Sequence, residues 1–175
     1  SAMEVTNIET AVLGSAVDAA SLPAQVGARE LDISSVVVKV HTDEGITGLG
    51  ESFYRSEENN QFLAQSIDAM GRHVIGKDPQ NVKDIWHELY LHVKRAGAYG
   101  ALSAIDEALW DIIGKHAGLP VYQLLGGQTG TVNAYATFPV DKEADELVEY
   151  AHWLNEKGFE AMKIGAGFGV EEDRH

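Results

Sequence analysis

The sequence predicts an α+β fold: a three-stranded antiparallel sheet with a helix bundle, followed by one strand–helix–strand unit. Three observations carry this prediction. Val, Ile and Thr cluster at 4–13 and 33–42, and a third run at 46–53 follows a turn at Asp43-Glu44-Gly45. The hydrophobic period then becomes helical from Ser56 to about Lys115. After Gly126-Gly127 the order changes to strand, helix, strand.

In the second strand, Val36, Val38 and Val40 fall on one face and Val37, Lys39 and His41 on the other, as expected when one face is covered. The segment from about 14 to 31 holds Gly, Ser, Ala and Pro without a clear period and is read as a loop. Ser56 is placed as the N-cap of the first helix, with Glu57 and Glu58 in its first turn and Phe62, Leu63, Ile67, Met70 and Val74 along one side. Asp78-Pro79 is read as the start of a second helix carrying Val82, Ile85, Trp86, Leu89 and Val93. A third helix runs from about Ala98 to Lys115 on Leu102, Ile105, Leu109, Ile112 and Ile113, and Gly118 with Pro120 closes it.

Beyond the double glycine, strands are expected at Val132–Phe138 and Glu160–Ile164. Between them lies a helix from about Lys142 to Glu156, with Asp141 as cap, Leu147, Val148, Ala151 and Leu154 as buried stripe, and Gly158 as stop. Both strands are short and apolar, as buried parallel strands are. Glu171-Glu172-Asp173 reads as the acidic first turn of a further helix.

Composition narrows the function. Hydrophobic residues make up 45% and charged residues 23% of the 175, the balance of a folded globular protein. A net charge of -14 opposes phosphate backbones and anionic membranes, so neither a nucleic acid nor a membrane is an expected partner. The absence of cysteine removes disulfides, thiolate metal sites and thiol nucleophiles together, and fits a cytoplasmic location. No apolar run approaches the length of a membrane span. Ser1-Ala2-Met3 reads as an expression scar ahead of residue 4.

Two glycine-rich stretches resemble nucleotide-binding loops without meeting their requirements. Gly48-Leu49-Gly50 follows a strand, but Phe53 stands where a dinucleotide fingerprint needs its third glycine. Gly126 to Gly130 lacks the Lys-Ser or Lys-Thr of a phosphate loop. The seven histidines contain no HExxH pattern, and His87 and His92, five apart, fall on different faces of a helix; no metal site is expected within the chain.

The specific signal is a set of segments in order: GITGLGE at 45–51, AIDEALWDIIGKHAGLPVYQLLGG at 104–127 and GFEAMKIGAGFGVEED at 158–173. Together they resemble the enolase superfamily, in its mandelate racemase and muconate lactonizing enzyme branch, over nearly all of the chain from residue 4. The resemblance implies a capping domain at 4–125, of the enolase N-terminal type, and the first βαβ unit of an incomplete β/α barrel at 126–175.

It also implies a chemistry: abstraction of a proton α to a carboxylate, with Mg²⁺ stabilising the enediolate and a Lys or His as base. In the family pattern the second barrel strand ends Lys-x-Lys, the second Lys being the usual base. Here Lys163 takes the first position and Gly165 the second. Glycine accepts no proton, which disfavours a two-base racemase and favours an acid-sugar dehydratase whose base comes from a later strand. Lys163 is the expected catalytic residue within the chain. Phe53, Tyr54 and Arg55, in the turn after the third strand, are the expected substrate contacts, with Arg55 suited to a carboxylate.

The family's three metal-binding carboxylates belong to barrel strands three to five, after residue 175. Mg²⁺ is therefore expected in the intact enzyme and not on this chain, which alone is expected to be inactive. The partner is a small carboxylate substrate, and exposed apolar faces lead to an expected homo-oligomer. Alternatives are a racemase, epimerase or cycloisomerase of the same branch, or a non-catalytic binding or assembly module.

Overall fold

A computed structural model describes residues 2–16, 32–54, 56–128, 130–137 and 144–164 of the chain. These form two compact units, residues 2–15 with 32–128 and residues 130–137 with 144–164. Among the described residues, no helix is long and apolar enough to cross a membrane.

The first unit is a three-stranded antiparallel sheet in the order β1 (Val5–Ala16), β2 (Asp32–Thr42), β3 (Thr47–Ser52), with α1 (Glu57–Gly71), α2 (Val82–Ala96) and α3 (Tyr99–Ala117). The β2–β3 register sets Val36 opposite Ser52, Val38 opposite Gly50 and Val40 opposite Gly48. Val36, Val38 and Val40 are fully buried, as their alternation predicts, and pack in one core with Leu63, Ile67, Ile85, Leu89, Ile105, Leu109 and Ile112. Met3 and Val5 also belong to this core.

Local signals account for most element ends. The Ser56 hydroxyl accepts the Asn59 N–H at 3.2 Å and caps α1. Gly118, at φ 67° in the left-handed region, ends α3, and its N–H returns to the carbonyls of Gly114 and Lys115. A short α4 (Val121–Leu124) begins after Pro120.

Three helix details differ from the sequence reading. Phe62 is 61% exposed, because the buried stripe of α1 is Asn60, Leu63, Ile67 and Met70, and Phe62 sits about 100° round the helix from Leu63. Helix α2 starts at Val82, not at Pro79: the Asp78 carboxylate accepts the Gln80 N–H and closes a turn ahead of the helix. Trp86 is turned out from the core beside Ile85 and stacks on Tyr90, with ring centroids 5.0 Å apart.

The second unit is a parallel pair, β4 (Ala136–Thr137) and β5 (Met162–Lys163), joined through α5 (Ala144–Glu156). The strand–helix–strand order is as read from the sequence, but the ladder is two residues long. Residues 131–135 precede it as irregular chain, with Val132 86% exposed where a strand was expected. On α5 the inward set is Leu147, Tyr150 and Leu154; Val148 is exposed, one residue round from Leu147. Phe138, Asp141 and the acidic run at 171–173 lie outside the described residues.

Candidate functional site

The GITGLGE segment, residues 45–51, runs from the turn before β3 through all but the last residue of that strand, and two of its glycines, Gly48 and Gly50, are explained by what lies across from them. A Cβ on Gly48 would lie 2.0 Å from the Ala108 carbonyl oxygen, and one on Gly50 would lie 1.8 Å from that of Ala104. Helix α3 therefore presses its backbone onto the strand, with small alanines one turn apart facing missing side chains. The same helix completes the outer edge of β3. Glu107 accepts the Glu51 N–H at 3.1 Å, Asp111 accepts the Leu49 N–H at 2.8 Å, and the Lys115 ammonium donates to the Thr47 carbonyl at 2.7 Å. One face of α3, at every fourth residue, supplies the hydrogen bonds that a neighbouring strand would have made. The glycines thus serve packing and not a phosphate.

The chain leaving β3 is pinned before it reaches the expected substrate contacts. The Tyr54 N–H donates to Asn60 Oδ1 at 2.6 Å, and Asn60 Nδ2 donates to Ser34 Oγ at 2.9 Å. Asn60 is fully buried, so leaving either bond unmade would strand a polar group away from water. Phe53 and Tyr54 are both exposed, Phe53 at 64%. Arg55 and residues 17–31 of the expected loop lie outside the described residues, and residues 14–16, read as loop, continue β1 instead. Asn60 is the positioning residue that the sequence reading passed over; a polar residue on an otherwise apolar helical stripe was the available signal.

In the second unit Ala136 pairs with Met162 and Thr137 with Lys163. Ala136 and Met162 pack against Tyr150 and Leu154 of α5. Successive residues of a strand face opposite ways, so Thr137 and Lys163 share the face turned from that helix. In a β/α barrel the helices lie outside, and the face turned from them is the interior. Lys163 is exposed at the C-terminal end of its strand, the end at which such barrels carry chemistry. An open cleft lined by Val132, Asn133, Gly158, Phe159 and Ala161 lies before both strands, at their N-terminal ends, and so faces away from that position.

The structure thus brings Phe53 and Tyr54 together on one anchored turn and sets Lys163 beside Thr137; each pair belongs to its own unit. Gly165 lies outside the described residues. At the ends of β4 and β5 the side chains are a hydroxyl and an ammonium. This pair does not fit Mg²⁺, which takes carboxylate, carbonyl and water oxygens and is repelled by a cation.

Comparison with known proteins returns one family from several directions. The model of the mandelate racemase / muconate lactonizing enzyme N-terminal domain matches residues 7–126. A D-galactarolactone cycloisomerase of Agrobacterium fabrum is 37% identical, across 98% of this chain and 46% of its own length. A D-galactonate dehydratase of Pectobacterium atrosepticum is 38% identical, across 77% of this chain and 35% of its own. The crystal structure of L-talarate/galactarate dehydratase from Salmonella typhimurium, liganded with Mg and L-lyxarohydroxamate, has the same fold over 99% of this chain and 47% of its own, with a TM-score of 0.75 at 24% identity. The chain spans less than half the length of each of these proteins.

Proposed function

The chain belongs to the mandelate racemase / muconate lactonizing enzyme family, and from that premise we propose that it is the amino-terminal part of an acid-sugar dehydratase that abstracts a proton α to a carboxylate. The observation that carries this is the placement of Lys163, in register with Thr137 on the face of β5 turned from α5. The dehydratase among its relatives supports the same substrate class.

Abstraction of an α-proton adds a second negative charge to a substrate that already bears a carboxylate. The Lys163 ammonium interacts with that charge more strongly as it develops than with the ground state, which is the condition for lowering a barrier. Gly165 has no side chain to accept a proton, so the base is assigned to another strand. The anchored turn of Phe53 and Tyr54, with Arg55 beside it, is proposed to cover the substrate and, through Arg55, to pair with a carboxylate. Mg²⁺ is proposed for the intact enzyme on ligands outside this chain, and no step is derived through it.

The test joins this chain to the sequence that follows it in its parent protein and supplies Mg²⁺ with D-galactonate and galactarate. Dehydration to a 2-keto-3-deoxy acid is expected, with Lys163→Ala lowering kcat/KM about 10²-fold or more and Lys163→Arg recovering part of the loss. A folded, Mg²⁺-loaded protein that dehydrates no acid sugar would sink the proposal. A Lys163→Ala variant with full activity would remove Lys163 from it. This chain by itself is expected to show no turnover.

One observation favours a second reading. The cycloisomerase relative aligns across 98% of this chain, whereas the dehydratase aligns across 77%. With an acid-sugar lactone added to that assay, a cycloisomerase would consume the lactone and leave the linear acids untouched.

A further inference from the structure

Three potential metal ligands of the first unit converge on the solvent side of α2. Glu88 and His92 are one turn apart on that helix, and His73 comes from the turn that follows α1. Ligand atoms of all three lie within 4.8 Å of one another. The His73 and His92 rings stack with centroids 4.2 Å apart, and His73 Nδ1 is 4.0 Å from Glu88 Oε1.

The surroundings hold this arrangement in place. Val74, beside His73, is fully buried, and Gly76 and Lys77 exchange backbone hydrogen bonds with Val5, at 2.8 and 2.9 Å. The turn is therefore fixed to β1 and the core. Lys77 donates to Glu88 Oε2 and leaves Oε1 facing His73, so the two carboxylate oxygens have separate partners. Metal-ligating carboxylates are generally hydrogen-bonded in turn, and here the ammonium lies on the oxygen that the site does not use.

We propose that His73, Glu88 and His92 form a binding site for a divalent transition-metal ion of the Zn²⁺ class, one that ties the turn after α1 to the middle of α2. Zn²⁺ takes imidazole nitrogen and carboxylate oxygen at about 2.0–2.2 Å, so tetrahedral ligand atoms stand about 3.4 Å apart. Rotation of three partly exposed side chains by roughly an ångström closes that gap. Two nitrogen donors out of three select against Mg²⁺, which prefers oxygen. The site is thus of a different kind from the Mg²⁺ chemistry of the family.

Calorimetric titration of this chain with Zn²⁺ and, separately, with Mg²⁺ tests it. One Zn²⁺ per chain is expected, at about micromolar affinity, together with a rise in Tm on Zn²⁺ addition and no Mg²⁺ heat. His73→Ala and His92→Ala should each weaken binding about tenfold or more, whereas His87→Ala, on another face of α2, should leave it unchanged. Loss of the His73 and His92 ring signals in spectra taken with paramagnetic Co²⁺ would locate the ion. Circular dichroism of each variant separates lost binding from lost fold. Zn²⁺ binding weaker than millimolar in the folded chain, or binding unaffected in both histidine variants, would overturn the site.

Discussion

The two units of the chain are built to different standards of self-sufficiency. Among the described residues, the first unit buries twenty hydrophobic side chains in one continuous cluster, drawn from its sheet and all three of its long helices. The second buries two, Tyr150 and Leu154, with four partly buried neighbours. Fully burying a large apolar side chain contributes about 1.5–3 kcal/mol, whereas ordering each backbone residue costs about 1–2 kcal/mol. Among the described residues, the first unit has a core in proportion to its length, and the second shows only this small cluster. A β/α unit of this kind gains stability from further strands and helices packed on both faces, and among the described residues the second unit shows one helix on one face of a short ladder.

The largest expected effect of this contrast is in hydrogen exchange. Amides at Ile105 and Ile112, in the middle of α3, should exchange only on global unfolding, and those at Tyr150 and Leu154 through local opening. The difference in protection should reach about 10³-fold, equivalent to about 4 kcal/mol. Equal protection in the two helices would break the comparison and mean that α5 is held by something its own unit does not supply.

A smaller effect comes from adding one methyl group in each unit. Gly50→Ala drives a Cβ into the Ala104 carbonyl and should cost about 2–3 kcal/mol, read as a lower denaturant midpoint with an unchanged slope. Gly130→Ala, whose Cβ would meet nothing within 4 Å, should stay within about 0.5 kcal/mol of the parent. If both proved neutral, the close approach of α3 to β3 would not be what fixes the first unit.

That pair also shows how far the sequence could be read. Val36, Val38 and Val40 announce a one-sided strand, and Leu102, Ile105, Leu109 and Ile112 announce the helix that covers it, because period and burial follow directly from backbone geometry. The reason for Gly48 and Gly50 is not in their own neighbourhood: it lies about sixty residues away, at Ala104 and Ala108, and only the packed structure brings the two together. The same holds for Asn60 beneath Tyr54 and for His73 beside Glu88 and His92, where the partners come from different elements. Lys163 stands out only through the resemblance to a known family. Its face could have been counted from the alternation Ala161, Met162, Lys163, in which Met162 is the residue that turns to α5.

The smallest expected effect is electrostatic, and it belongs to the better-built unit. Asp106 is partly buried in a groove lined by Trp86, His87 and Trp110, and burial, with a lesser contribution from Glu107, pushes its carboxyl above the ordinary value. A raised carboxyl binds its proton more tightly in the folded chain than in the unfolded one, so folding is favoured as pH falls through the folded value and opposed above it. Asp106→Asn removes the charge and keeps the shape. It should stabilise the chain at pH 7 by less than about 1 kcal/mol, because a half-exposed group is screened by water. The gain should vanish below the unfolded value near 3.8, where both forms of Asp106 are protonated. A gain of the same size at acid and neutral pH would mean that better packing against the two tryptophans, and not the cost of a charge, explains the variant. A loss at pH 7 would mean that the carboxylate has a favourable partner, and that the groove holds this acid for a use other than filling space.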